Sequence, residues 1–341
     1  MGHADGATGD PASGGQAAVQ ARPVFPVQLP VPRLGDWARG NLMPGAWSFA
    51  APTPGPHLAL VSLMHGNEYA GAAVLQRWLE AGLRPDRGRL TLVFANLAAF
   101  ARFDPADPTL SRFIDEDMNR IWGDRALKGP RRSTELDRAR DLLPLLESAD
   151  LLLDLHSMLW PSNALMLTGR ARRAMRLGAR LGTPPLVVAD EGHGTGLRLI
   201  DRPAFAAEDG QRTALLVEGG QHWQDATLET LGACAAALLR ESGCFDLDRL
   251  AATLPESARR HGTPQLAEVT RTVVAGTHGF QFVRPFRGGE VVAEGGTLLA
   301  TDGGEEIRTP HDQCLLVMPS PRTLRGHTAV RLARFLAPGD A

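Results

Sequence analysis

Apolar residues along this chain gather in short unbroken runs, each bounded by glycine, proline or charged residues. HLALVSLM (57–64), LTLVFANL (90–97), ADLLLDLHS (149–157), ALMLTG (164–169), PLVVAD (185–190) and TALLVEGG (213–220) have the length and continuity of strands buried on both faces. Between them the apolar spacing turns helical. It predicts a helix in HGNEYAGAAVLQRWLEAG ending near Gly82, and another over 133–148 facing the core with Leu136, Leu142, Leu143 and Leu146. An arginine-rich helix over about 170–181 and one over ATLETLGACAAALLRE (226–241) complete the set. Strand and helix alternate, so the expected fold class is α/β, a mixed but mostly parallel sheet flanked by helices. Ligands in such sheets bind beyond the carboxyl ends of the strands. His65, Asn96, His156 and Glu218 all fall at or just past strand ends.

Two stretches break the pattern. Residues 100–130 are polar, proline-containing and aperiodic, as expected of a long functional loop. From Ala267 onward, short β-rich pieces alternate with glycine turns and no helical period remains, which predicts a small all-β domain. The expected division is a disordered leader and N-terminal extension (1–40), a catalytic domain (41–255) and a C-terminal β domain (266–341), with LPESARRHGTPQ (254–265) as linker. The leader MGHADGATGDPASGGQAAVQAR contains no Leu, Ile or Phe and so lacks the apolar core of a signal peptide. No apolar run approaches the ~20 residues that cross a membrane.

Composition narrows the function classes. A formal charge of −2 over 341 residues provides no global field for nucleic acid or an anionic membrane surface, so any anion preference comes from local arginines. Cys234, Cys244 and Cys314 are odd in number and far apart, with no CxxC pairing. They point to structural thiols in a reducing cytoplasm, not to a disulfide framework or a thiolate metal site.

His65 and Glu68 form an H-x-x-E unit where a strand meets a helix, a spacing that lets both side chains face one point. His156, at the end of another strand, completes a set of two histidines and a glutamate, suited to one catalytic zinc ion per chain. A nitrogen and oxygen set also suits cobalt or nickel. A water in the open position would have its pKa lowered to roughly 7. Alone, H-x-x-E is more often a surface pair or helix cap. Its company matters: in DMNR, Asp117 suits the second nitrogen of a ligating imidazole, and Asn119 with Arg120 suits a carboxylate. Arg112, earlier on the same loop, is placed to polarise a carbonyl. Glu218 closes an apolar strand, where a carboxylate is costly unless it is paired or functional. Its two readings are a general base and an ion pair with a nearby arginine.

HGNE, SRFIDEDMNR, DLLLDLHS and LVEGG, in this order, resemble the succinylglutamate desuccinylase/aspartoacylase family of the zinc carboxypeptidase superfamily. The resemblance implies a zinc-carboxypeptidase-like fold with His65, Glu68 and His156 as zinc ligands. It also implies Arg112 on the scissile carbonyl or its oxyanion, Asn119 and Arg120 on the substrate α-carboxylate, and Glu218 as general base. The expected reaction is deacylation of a small anionic N-acyl amino acid. Alternatives are a metallocarboxypeptidase acting on a short peptide or cell-wall fragment, and a non-catalytic metal-binding module.

The chain also departs from the aspartoacylase pattern. Its only tyrosine is Tyr69, so none is available in the C-terminal region to contact substrate. The extra arginine expected shortly before the catalytic Glu has three candidates, Arg198, Arg202 and Arg212, none of which aligns. The C-terminal segment resembles a biotinyl/lipoyl-type barrel-sandwich, but its central turn, Asp302–Glu305, holds no lysine for a prosthetic group. Its expected roles are packing near the mouth of the site or homo-oligomer contacts. His222, His278, His311 and His327 lack metal-like spacing and are expected to be surface or core residues.

Overall fold

The apolar runs become adjacent strands of one eleven-stranded sheet in the computed structural model, which describes residues 24–192, 194–254 and 262–337. The expected leader and most of the expected linker lie outside the described residues. The predicted strands are β2 (Thr53–Ser62), β3 (Arg87–Phe94), β4 (Leu151–Met158), β5 (Leu165–Leu167), β6 (Leu186–Ala189) and β7 (Thr213–Gln221). β3, β2, β4 and β7 run parallel, β5 is antiparallel to β7, and β6 is parallel to β5. The apolar stretches are continuous because both faces are covered. In β2, Leu58 and Leu60 enter one core, while Ala59 and Val61 enter the other.

One edge strand gave little signal in the sequence. β1 (Ala46–Ala50) pairs antiparallel with β3, and most of it is only half buried. Trp47 packs between Trp37 and Phe49 there, so the strand is held by aromatic contacts and not by a deep apolar run.

Four principal helices cover the sheet: α1 (Ala70–Glu80), α2 (Thr134–Glu147), α3 (Arg172–Leu181) and α4 (Asp225–Glu241). Ser133 caps α2 by accepting a hydrogen bond from Leu136 N at 3.0 Å. α2 buries Leu136, Leu142, Leu145 and Leu146; Leu143, expected to face the core, is only partly buried, and Leu145 takes its place. α1 begins later than predicted. His65 to Glu68 instead form a turn closed by Glu68 N donating to His65 O at 3.1 Å. The 100–130 region is irregular as expected, apart from short helical turns at Leu110–Arg112, Met118–Arg120 and Asp124–Leu127.

The C-terminal region is antiparallel β, but it grows directly out of the main sheet. β8 (Gln265–Val274) pairs in parallel with β6, with Leu186 opposite Gln265. β9 (Gln281–Phe282), β10 (Val291–Val292), β11 (Leu298–Asp302), β12 (Glu305–Arg308), β13 (Cys314–Val317) and β14 (Thr328–Phe335) follow. β14, β13 and β10 extend the large sheet beyond β8, whereas β12, β11 and β9 form a second, three-stranded sheet. The β11–β12 hairpin turns at Gly303 and Gly304, with φ of +59° and +94° that a side chain would resist. Cys234, Cys244 and Cys314 are free and buried. Among the described residues no helix is long and apolar enough to cross a membrane.

Candidate metal centre and its cavity

β2, β4 and β7 lie side by side, so the residues at their carboxyl ends converge. Glu218 of β7 is the register partner of His156 on β4, and the His65–Glu68 turn leaves the end of neighbouring β2. The turn is tight. A Cβ on Gly66 would come within 2.6 Å of the backbone at Ala99, Phe100 and Ser111, so the H-G-N-E motif needs glycine there. Gly66 N donates to Arg112 O at 3.0 Å, fastening the arginine-bearing loop to the turn.

His65, Glu68 and His156 are all buried, and each offers a ligand atom within 4.8 Å of the other two. His65 Nδ1 lies 2.8 Å from Glu68 Oε1, and His156 Nδ1 lies 3.0 Å from Glu68 Oε2. The same ring nitrogen of both histidines therefore faces the same carboxylate. The opposite nitrogens are backed by acids: Asp117 Oδ1 is 2.9 Å from His65 Nε2, and Asp154 Oδ2 is 2.9 Å from His156 Nε2. The second pair is close but poorly aligned, and neither atom makes a regular hydrogen bond. Arg112 Nη2 also approaches His65 Nε2, at 2.9 Å. Two donors cannot share that contact, so the Asp117 carboxylate is the partner that suits an Nε2–H.

The electrostatics favour a cation here. Burial alone would raise the Glu68 and Asp117 carboxyls, but neighbouring His65, with His156 beside Glu68 and Arg112 beside Asp117, holds both well below the carboxylate range. Burial would lower His156, yet Asp154 and Glu68 hold it well above its ordinary value. A divalent ion bound at the two Nδ1 atoms and Glu68 would take over that positive charge and release the proton. Two imidazoles and a carboxylate, with a carboxylate behind each imidazole, fit zinc.

The three residues border a cavity of about 210 Å³, with Glu218 on its wall. Burial, reinforced by nearby Glu68 and Asp154 and opposed by His156 and Arg112, pushes the Glu218 carboxyl up to about 8, and its Oε2 has no hydrogen-bond partner. Arg112 Nη1 donates to Glu68 Oε1 at 3.0 Å and Nη2 to Asp117 Oδ2 at 3.1 Å, so one guanidinium spans both acids. Asn119 is buried, and its Oδ1 accepts from Leu199 N at 3.1 Å, which leaves the amide nitrogen to donate. Arg120 donates to Asn119 O at 2.8 Å. Burial, with Arg112, Arg331 and Arg198 nearby and Asp117 opposing, lowers Arg120 to about 10. The cavity brings together His65, Glu68, His156, Glu218, Arg112, Asn119 and Arg120; Asp117 stands behind His65.

Other residues fall elsewhere. Asn96 does not line the cavity; its Nδ2 donates to Glu135 at 3.0 Å. Tyr69 donates to Leu29 O at 2.6 Å and also lies off the cavity wall. Of the three candidate arginines, only Arg198 reaches the wall, and its donors are engaged by Asp190 and Asp201 at 2.6–2.9 Å. Arg202 is paired with Asp124 and Glu147. His222 is buried on the cavity wall, its Nδ1 2.7 Å from Ser157 Oγ. Among cavity residues, sequence reasoning missed Arg331, buried on β14. It also missed Asp154, behind His156. Asp154 had a signal, since D-x-H in a strand puts both side chains on one face. Arg331 had none, because a strand arginine far along the chain looks solvated until β14 is placed.

Known proteins are similar in the same way. Residues 54–231, more than half the chain, match the succinylglutamate desuccinylase/aspartoacylase catalytic domain. No curated protein sequence matches. Among solved structures, succinylglutamate desuccinylase from Vibrio parahaemolyticus superimposes with a TM-score of 0.63 at 17% identity, covering 86% of this chain and 87% of that one. A succinylglutamate desuccinylase/aspartoacylase from Rhodobacter sphaeroides gives 0.61 at 17% identity, covering 91% and 94%. The product-bound ectoine utilization protein of Ruegeria pomeroyi gives 0.58 at 17%, covering 84% and 87%. At these identities the structures speak for the fold, while the family match covers both strand-end histidines, the DMNR loop and Glu218: the chain belongs to the succinylglutamate desuccinylase/aspartoacylase family.

Proposed function

We propose that this protein is a zinc-dependent amidohydrolase that releases the acyl group from a small anionic N-acyl amino acid. The observation that carries the reading is a single cavity bordered by the His65–Glu68–His156 cluster, by Glu218 and by the Asn119–Arg120 pair. Its wall of imidazoles, carboxylates and arginines suits a small anionic molecule. The family consists of deacylases, and its similar structures include proteins named for succinylglutamate desuccinylation and ectoine utilization.

His65, Glu68 and His156 would hold the zinc, which when bound supplies Lewis acidity toward water and the scissile carbonyl. The chain's own groups do the rest. Asn119 Nδ2 and the Arg120 guanidinium bind the α-carboxylate and orient the amide. Glu218 takes a proton from the attacking water and returns it to the departing nitrogen, so the C–N bond breaks to give a carboxylate and an amine. Burial raises this carboxyl above the ordinary carboxylate range, the direction needed by a group that must also return the proton. Arg112 donates to the oxyanion as charge develops on the carbonyl oxygen. We read residues 41–255 as the catalytic domain and 266–341 as a C-terminal domain that closes one side of the cavity through Met318, Thr328 and Arg331. Three buried free thiols support a reducing, cytoplasmic setting.

The test is a hydrolysis screen of the zinc-loaded protein across N-acyl amino acids differing in acyl length and side-chain charge, with short peptides as a second arm. Turnover of N-acyl amino acids is expected. Faster turnover of peptides would favour a carboxypeptidase, and no turnover in either arm would sink the reading.

A further inference from the structure

Glu135 is fully buried on α2, yet it lines no part of the cavity and touches none of the three metal-facing side chains. Its oxygens serve four N–H groups. Oε1 accepts from Ile114 N at 2.6 Å and from Asn96 Nδ2 at 3.0 Å; Oε2 accepts from Asp115 N at 3.0 Å and Glu116 N at 3.3 Å. Three of these donors are consecutive backbone amides, and they lie between Arg112 and Asp117. That stretch has no helix or strand ladder of its own. The start of α2 reinforces the attachment, since Asp115 Oδ2 accepts from Thr134 N at 2.7 Å and Glu116 contacts Ser133.

We propose that Glu135 is a positioning residue: by gathering the 114–116 amides it sets Arg112 and Asp117 around the candidate metal centre, and so controls metal affinity and turnover without touching ion or substrate. The inference rests on the reading of His65, Glu68 and His156 as that centre. Other anchors hold side chains of the loop or its ends: Gly66 N on Arg112 O, Asn119 N on Asp117 Oδ1, the contacts of Asp115 and Glu116 with the start of α2, and the ion pairs of Arg112, Glu116 and Asp117. Glu135 adds to them three consecutive backbone amides. If the 114–116 backbone shifts, Asp117 leaves His65 Nε2 and Arg112 leaves the cavity wall together. The role calls for a carboxylate, because both oxygens accept and neither donates. A glutamine would point its –NH₂ at one pair of N–H donors, and no rotation of the amide removes that clash.

The experiment uses the full chain with Glu135→Gln, measuring zinc affinity by chelator competition, kcat and KM on the best substrate of the screen, thermal midpoint, and amide exchange. Zinc affinity and kcat are each expected to fall about tenfold or more, in line with losses of outer-shell partners, with a smaller change in KM. Exchange at residues 114–116 should rise while β2 and β4 stay protected. A lowered thermal midpoint with wild-type zinc affinity, kcat and 114–116 protection would mean a merely structural carboxylate and overturn the proposal. Zinc affinity and exchange need no substrate, so they decide the matter even if the deacylase reading fails. If Glu135→Gln does not fold, Glu135→Asp keeps the acceptors but withdraws them by one methylene. It should show the same losses, and wild-type values there would equally overturn the proposal.

Discussion

Asp154 and His156 stand two residues apart on β4, facing the same way, with Asp154 Oδ2 2.9 Å from His156 Nε2. The acid is completely buried, and neither oxygen has a regular hydrogen bond. Such a carboxylate is costly unless a positive charge compensates it, and the imidazole it backs is the only titratable ring in reach on its own strand. The pair mirrors Asp117 behind His65, so both candidate ligands are oriented from the rear.

Asp154→Asn preserves shape and removes that charge. Zinc affinity is expected to fall roughly 10–100-fold, although Asp154 does not face the ion. Chelator competition measures it, and an unchanged dissociation constant would show that Asp154 serves only packing.

Glu218→Gln keeps the side chain's size in the wall of the cavity. Zinc content should stay near one ion per chain while kcat falls by about 10²–10⁴-fold, the usual worth of a positioned acid–base group. Metal analysis beside steady-state kinetics separates the two effects, and near-normal turnover would remove Glu218 from the mechanism.

Arg120→Ala takes away half of the proposed carboxylate clamp. A hydrogen bond between charged groups is worth about 1.5–3 kcal/mol, so KM should rise roughly 10–100-fold with a smaller change in kcat. Substrates whose α-carboxylate is converted to an amide should already be poor with the wild type and should lose little more in the variant. A variant that discriminates against the amide as strongly as the wild type would place the carboxylate elsewhere.

His57 offers a prediction about stability, far from the cavity. It is buried beneath Ser148 and Thr91, with Nε2 2.8 Å from Thr91 Oγ1. Burial, helped by Arg89 and opposed by Ser148 and Asp150, lowers its pKa from 6.5. As pH falls below 6.5 the unfolded chain takes up the proton first, so stability is lost toward the lower folded pKa. His57→Gln should therefore show a shallower decline in thermal midpoint between about pH 7.5 and 5.5 than the wild type, both saturated with zinc. Parallel declines would show that His57 does not titrate on unfolding.

Much of this protein was legible along the chain. Unbroken apolar runs such as HLALVSLM and TALLVEGG suit strands covered on both faces, because they are short and bounded by proline, glycine or charged residues. Alternation with helices then made the sheet mostly parallel and set His65, His156 and Glu218 at strand ends. Strand order, register and the paths of irregular segments lay outside that reach, since these depend on contacts between residues distant in sequence. Tertiary structure therefore decided that Asn96 serves Glu135 and not the cavity, and that Arg198 is engaged by two aspartates. It also decided that β8 joins the main sheet beside β6, carrying Arg331 of β14 into the cavity wall. Side-chain chemistry is written locally, but which charges meet is decided only when the strands that carry them are laid side by side.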